Sequence, residues 1–384
     1  MKKSFSTLAL LCLIALTTGC KSSNPESVSE FKYNITMTEL AEPSWYDLVD
    51  SASYITLKSP DGTVMGEIKQ LIVNDDRIYV LANGFYCFDM QGDCLFKQTS
   101  KGRARNEFID ASSMSVSDGM LFLYDRMQYK GLFFDALTGK YVSSVSSSVN
   151  GRAGYHLGDN IIINNLNDGD DPRFIILPKE NPENVLTGFF AGKEHLSSIR
   201  GTTSWVDDGL IYTSYRRDLA WKMTGQECVP YISITVPEDK KLPDQLIEDM
   251  IEAGTISPQG YEASDFTYGL SEIKECDGFI TGRLNDENTF IYFVFDKNSG
   301  KSLFFKYPAK EVWQQLPIDE SVCAGYKDCI CTVVRPENVL LLKSILGGIG
   351  NEPTQEKFRQ AYNAISALSE NDYAIIARIR FKAL

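Results

Sequence analysis

At 384 residues, with 43% hydrophobic and 23% charged side chains, the chain has the apolar material for a sizeable core and is not a disordered polymer. Its length fits one large domain or two smaller ones. A formal charge of −13 argues against nucleic acid and anionic membrane surfaces as partners.

Residues 1–19 read as a targeting segment. Lys2 and Lys3 give it a positive start, and Leu8 to Leu16 form an apolar run too short to span a bilayer. It ends Leu16-Thr17-Thr18-Gly19-Cys20, which resembles a bacterial lipoprotein signal, although Thr17 stands where Leu is usual. The resemblance implies cleavage before Cys20 and lipidation of its thiol, so that the membrane is reached through the lipid anchor only. An ordinary secretory signal that ends near a Cys is the competing reading. Several acyl chains on one residue would hold firmly, at about 0.8 kcal/mol per buried methylene. Residues 20–43 then read as lipidated Cys and polar tether, with a strand near Phe31 to Met37, and residues 44–384 as a single domain.

That domain is repetitive. Asp, one residue, then an apolar strand recurs at Asp76, Asp118, Asp159, Asp208, Asp277 and Asp328. A second marker, Phe-Asp with Gly four or five positions after the Phe, occurs at Phe88/Gly92, Phe134/Gly139 and Phe295/Gly300, with Met223-Thr224-Gly225 as a degenerate copy. Asp with Gly or Asn supplies the left-handed positions of a hairpin turn, and the β-branched and aromatic residues that follow suit a pleated strand. Two hairpins per unit of about forty residues make a four-stranded propeller blade. The expected fold is therefore all-β, a six-bladed β-propeller. Its blades run from about Ile68 to Ser100, Ile109 to Ser147, Tyr155 to Phe190, Ser198 to Pro237 and Ile273 to Tyr307, the last beginning near Val322.

Two short helical insertions interrupt the pattern. Residues 242, 246, 247, 250 and 251 share one helical face, with Pro243 near the start. Val339 to Leu346, and a stripe from Phe358 to Leu368, make a second helical region inside the last blade, which closes with Tyr373 to Phe381. This blade is one strand short, and Ser53 to Leu57 is an unassigned strand of suitable length. The last blade is thus expected to be closed by an N-terminal strand, which removes open sheet edges.

Tyr54-Ile55-Thr56-Leu57, Gly66-Glu67-Ile68, Asp76 to Leu81, Phe88-Asp89 with Gly92, Lys101-Gly102-Arg103 and Asn106-Glu107-Phe108 follow in order. In that order they resemble the six-bladed β-propeller lipoproteins of Bacteroidota, relatives of NHL and TolB-type propellers. The resemblance spans nearly the whole mature chain and implies fold and envelope location, at the outer membrane, more than activity; periplasmic side and cell surface both stay open. The family's Gly-Arg-Gly-Pro-Gly-Glu-like loop stands here as Gly102-Arg103-Ala104-Arg105-Asn106-Glu107, which keeps the first Arg and the Glu and loses the later Gly and Pro.

Seven cysteines follow Cys20. Cys87 and Cys94 flank one hairpin turn and are candidates to pair unless a one-residue bulge sets them out of register; Cys323, Cys329 and Cys331 have room for one disulfide. No metal site is expected, because the only histidines, His156 and His195, are far from that group. The acidic run Asp168 to Asp171 lacks the spacing of a calcium loop, and Trp205, Trp221 and Trp313 read as core before they read as sugar platforms.

In a propeller, the loops from second to third strand and from blade to blade open on one face around the channel. On them fall Arg126 and Tyr129, Arg173, and Tyr215, Arg216 and Arg217. Arg283 and Arg335 are placed at the ends of second strands, and Arg103 and Arg105 in the first connection between blades. A planar guanidinium fork suits carboxylate, phosphate or sulfate, so this set is the candidate ligand-binding group; loop arginines paired to neighbouring Asp are the bland alternative. There is no G-x-S-x-G elbow, H-E-x-x-H or P-loop, and no cofactor is expected. The reading is an envelope binding module for a small glycan, peptide or envelope protein. Its rivals are a carboxylate-based glycan hydrolase or lyase and a structural subunit of an envelope complex.

Overall fold

The computed structural model describes residues 30–41, 43, 48–58, 61–62, 64–166, 171–192, 202–206, 208–214, 217–253, 266–286, 289–306, 318–334 and 372–384, with 363 and 367 as single positions. Six antiparallel sheets follow one another in sequence and pack face to face around a channel, the first strand of each lying innermost. Blade one holds Gln70–Asn74, Arg77–Leu81, Phe85–Asp89 and Cys94–Gln98, and blade two Ala111–Ser117, Met120–Asp125, Lys130–Asp135 and Tyr141–Ser146. Blade three holds Gly151–Leu157, Asn160–Asn165, Phe174–Pro178 and Thr187–Phe189. Blade four holds Thr202–Val206, Gly209–Thr213, Leu219–Thr224 and Glu227–Thr235, and blade five Thr267–Glu275, Phe279–Asp286, Thr289–Asp296 and Ser302–Lys306. Ile318–Tyr326, Cys329–Val334 and Asp372–Phe381 form blade six, and Val49–Lys58 closes it, with Ile55 opposite Ile376.

Local turn chemistry sets these hairpins. Every first-to-second strand turn falls at the repeated Asp, and Asp75, Asp76, Asp118 and Lys327 take left-handed backbone there. In the third-to-fourth turns, the Phe of the second marker is buried while its Asp caps the turn. Asp89 accepts from the amides of Gln91 and Asp93, Asp135 from Leu137 and Thr138, and Asp296 from Asn298 and Ser299. Gly92 (φ +82°) is needed twice over: a Cβ there would lie 1.9 Å from the Thr56 carbonyl oxygen of the closing strand.

The core lies between blades. Ile55 and Leu57 pack with Leu71, Val80 and Phe88, so the closing strand joins blade six to blade one. The N-terminal segment does more than tether. Tyr33–Thr36 pairs in parallel with the outer strand of blade four, and Leu40–Ala41 with that of blade five. Blade five begins at Thr267 instead of Ile273, because bulges around Ser271 and a left-handed Glu272 (φ +52°) hide its alternation. Helix α1 (Asp244–Ala253) buries Leu246, Ile247 and Met250 against Leu242 and Tyr268, the face expected. The second helical region lies outside the described residues.

Bulges also decide the cysteines. No disulfide joins any of the seven after Cys20; in blade one a register shift places Cys94 opposite Phe88, and Cys87 opposite Phe96.

Candidate functional site

One face of the propeller carries the long connections, and the chain enters from the other. Tyr33–Thr36 runs parallel to Glu227–Thr235, from the tight-turn face toward the loop face. The link holding α1 leaves from the loop face, and the strands ending at Val334 and starting at Asp372 also meet that face.

On that face a cavity of about 370 Å³ opens at the channel mouth, lined by Lys69, Asp110, Ser112, Arg126, Arg152, Ala153, Asn164, Arg173 and Thr203. Blades one to four all contribute. In blades two and three the innermost strand bulges between Ala111 and Ser113, and between Gly151 and Ala153. The extra residues are Ser112 and Arg152. A bulge re-aims one side chain without breaking the ladder beyond it.

The cations are not equivalent. Arg126 Nε lies 2.5 Å from Asp110, and Lys69 Nζ 3.6 Å from the same carboxylate. Asp110 is held in turn by the buried Asp125 beneath it, which accepts the amides of Ile109, Asp110 and Met127 and the side chain of Gln128. Arg152 is exposed and has no carboxylate partner among the described residues. Arg173 is 2% exposed, and its Nε and Nη1 are sealed from solvent with no hydrogen-bond partner. Its backbone is fixed by Phe190 and Asn165, and below it Phe174, Phe190, Tyr212 and Trp221 pack edge to face. Burial pulls its guanidinium below the ordinary value, Tyr212 opposes that, and Arg152 adds to it by repulsion. Among the described residues, four cations thus face one carboxylate in an acidic protein, and the deepest of them is unpaired.

The structure therefore brings Arg126 and Arg173 together and leaves apart the other predicted residues that it describes. Arg103 and Arg105 are exposed on a loop whose shape is set by Glu107, which folds back on Gly102 and accepts the Ala104 amide. Tyr129 is 41% exposed with φ +48°. Arg217 lies 3.7 Å from Glu248 of α1, beside a separate cavity where burial raises the Asp218 carboxyl to about 7 and the Gly269 amide bonds it. Arg283 sits within its strand instead of ending it, over the ring of Phe290, beside a small apolar cavity between blades five and six. Tyr215, Arg216, Arg335, Cys20, Trp313 and residues 167–170 lie outside the described residues. Trp221 is core, and Trp205 stacks on Tyr155. Among the described residues no group of three or more His, Cys, Asp or Glu could hold a metal ion.

Sequence reading missed Lys69, Ser112, Arg152, Asn164 and Thr203. The signal that finds four of them is position: they stand at the start of an innermost strand in blades one to four.

A family model described as DUF5128, 6-bladed beta-propeller, matches residues 23–325. Among solved structures, a Bacteroides fragilis protein described as exported aligns at 15% identity over 91% of this chain and 100% of its own, with a TM-score of 0.72. A DUF4221 family member from Bacteroides vulgatus aligns at 6% identity over 88% and 98%, with a TM-score of 0.50. At those identities the likeness speaks to the fold. No match was found among curated proteins.

Proposed function

The chain belongs to the DUF5128 family of six-bladed β-propellers, and on that premise we propose that it is a lipid-anchored envelope binding module taking an anionic glycan or peptide at the channel mouth. The observation that carries this reading is Arg173, a buried guanidinium without an anion beside a polar cavity. A cation withdrawn from water is costly unless a partner compensates it. Among the described residues the protein supplies none, and a ligand carboxylate, sulfate or phosphate would. Arg152, Arg126 and Lys69 attract the anion, and Asp110 fixes the geometry of two of them.

Hydrolysis by paired carboxylates has less support at this pocket. Asp110 is the one carboxylate among its described lining residues, and it is already ion-paired. An anchor at Cys20 fits the chain path, since the strand that follows the tether rises from the opposite face and leaves the pocket turned away from its attachment.

The test is an array of acidic and neutral glycans and peptides probed with the full chain in detergent. Acidic members alone should be retained, less so at high salt, and Arg173→Met should lose them. Retention of neutral members to the same extent, unchanged by Arg173→Met, would refute the reading. Separately, Cys20→Ala should release the protein from membranes; unchanged membrane association sinks the anchor.

A further inference from the structure

A second unsatisfied group stands beside Arg173. Asn164, near the end of the second strand of blade three, is 5% exposed, and its Oδ1 is sealed from solvent without a partner. Phe174, next in the chain to Arg173, is its register partner across the sheet. A buried arginine asks only for an acceptor. A buried carboxamide asks for a donor at one end and an acceptor at the other, and a hydroxyl serves it in either orientation. A simple anion answers the first demand and leaves the second unmet.

The rest of the lining points the same way. Ser112 and Thr203 add hydroxyls, and among the described lining residues Ala153 is the sole apolar one, so they offer no pocket for an apolar side chain of a peptide. Thr203 is itself held by the Tyr155 hydroxyl at 3.3 Å. At about 30 Å³ per water, the 370 Å³ of space accepts roughly a dozen water-sized heavy atoms, about the size of one hexuronic acid.

Resting on the reading of this pocket as an anion site, we infer that its ligand is a sugar acid, carboxylate on Arg173 and ring hydroxyls on Asn164, Ser112 and Thr203. The acid group supplies what the guanidinium lacks, and an adjacent hydroxyl supplies what the carboxamide lacks. Glycans with uronic acid residues are the chemical class this fits, with a free or terminal residue in the cavity.

Calorimetric titration of the full chain separates the two levels. Probes are glucuronate, galacturonate, glucose, acetate and inorganic sulfate, against wild type, Arg173→Met and Asn164→Leu, each checked for folding by circular dichroism. If Arg173→Met does not fold, Arg173→Gln replaces it. The expected result is uronate binding at least tenfold tighter than glucose, acetate or sulfate, weakened about tenfold or more by either substitution. Acetate or sulfate binding as tightly as uronate, lost in Arg173→Met and unchanged in Asn164→Leu, would overturn the sugar-acid inference and leave the anion site standing. Glucose equal to uronate also overturns it. If no anion binds at all, the underlying reading falls, and the inference with it.

Discussion

Replacing Arg173 by Met should make this protein more stable. The guanidinium is 2% exposed, and two of its nitrogens are sealed from water with no partner. Each orphaned donor costs roughly 1–3 kcal/mol, and an uncompensated buried charge several more. Methionine is similar in reach, carries no donor, and adapts to irregular space. The packing lost from the stem and the attraction to Tyr212 offset part of the gain, so a net stabilisation of about 1–3 kcal/mol is expected. Unfolding entropy of about 2.1 cal/mol/K per residue makes each kcal/mol worth roughly 1–2 °C in a chain of this size. Arg173→Met should therefore raise Tm by about 1–4 °C, measured by calorimetry and checked by urea midpoint. An acidic ligand should raise Tm in the wild type and leave the variant unmoved. A fall of 2 °C or more would refute the reasoning, because it would mean that the guanidinium holds the fold together instead of waiting for a ligand.

Two further expectations test the fold. His156 is fully buried against Phe122 and Phe133, with neither ring nitrogen partnered, and burial lowers it to about 4. The unfolded imidazole titrates near 6.5, so the unfolded state binds the extra proton in between: its contribution is complete above pH 6.5, falls as pH drops toward 4, and is level below. That window should cost about 2 kcal/mol, and urea midpoints at pH 7.5 and 4.5 should show the difference shrinking by that amount in His156→Leu; equal shifts in both proteins would contradict it. Leu57→Ala, at a fully buried position between blades six and one, should cost about 2–5 kcal/mol, whereas Leu95→Ala, on an exposed outer strand, should cost under about 0.5; similar losses in denaturant titration would mean that the closing strand does not couple the blades.

Much of this architecture is written locally. Asp75 and Asp76 adopt the left-handed turn that their sequence announces, Asp89, Asp135 and Asp296 cap the turns that their Phe-Asp markers announce, and counting such hairpins yields six blades. Even the closing strand was legible, since a blade one strand short must find its edge elsewhere, and Val49–Lys58 is that edge. Turn chemistry acts over a few residues, which is why one sequence contains it.

The pocket is different in kind. Lys69, Arg126, Arg152 and Arg173 lie on three blades, and only the angle between blades brings them to one cavity. On the innermost strands, alternation would normally tell which side chain faces the channel, yet bulges at Ser112 and Arg152 shift the pattern by one residue at that point, and a one-residue slip reverses every assignment beyond it. Sequence therefore determined the blades and their closure through local turns and missing edges. Which arginine would be paired, exposed or buried alone was decided by tertiary packing, because burial and partnership belong to neighbours that are distant along the chain.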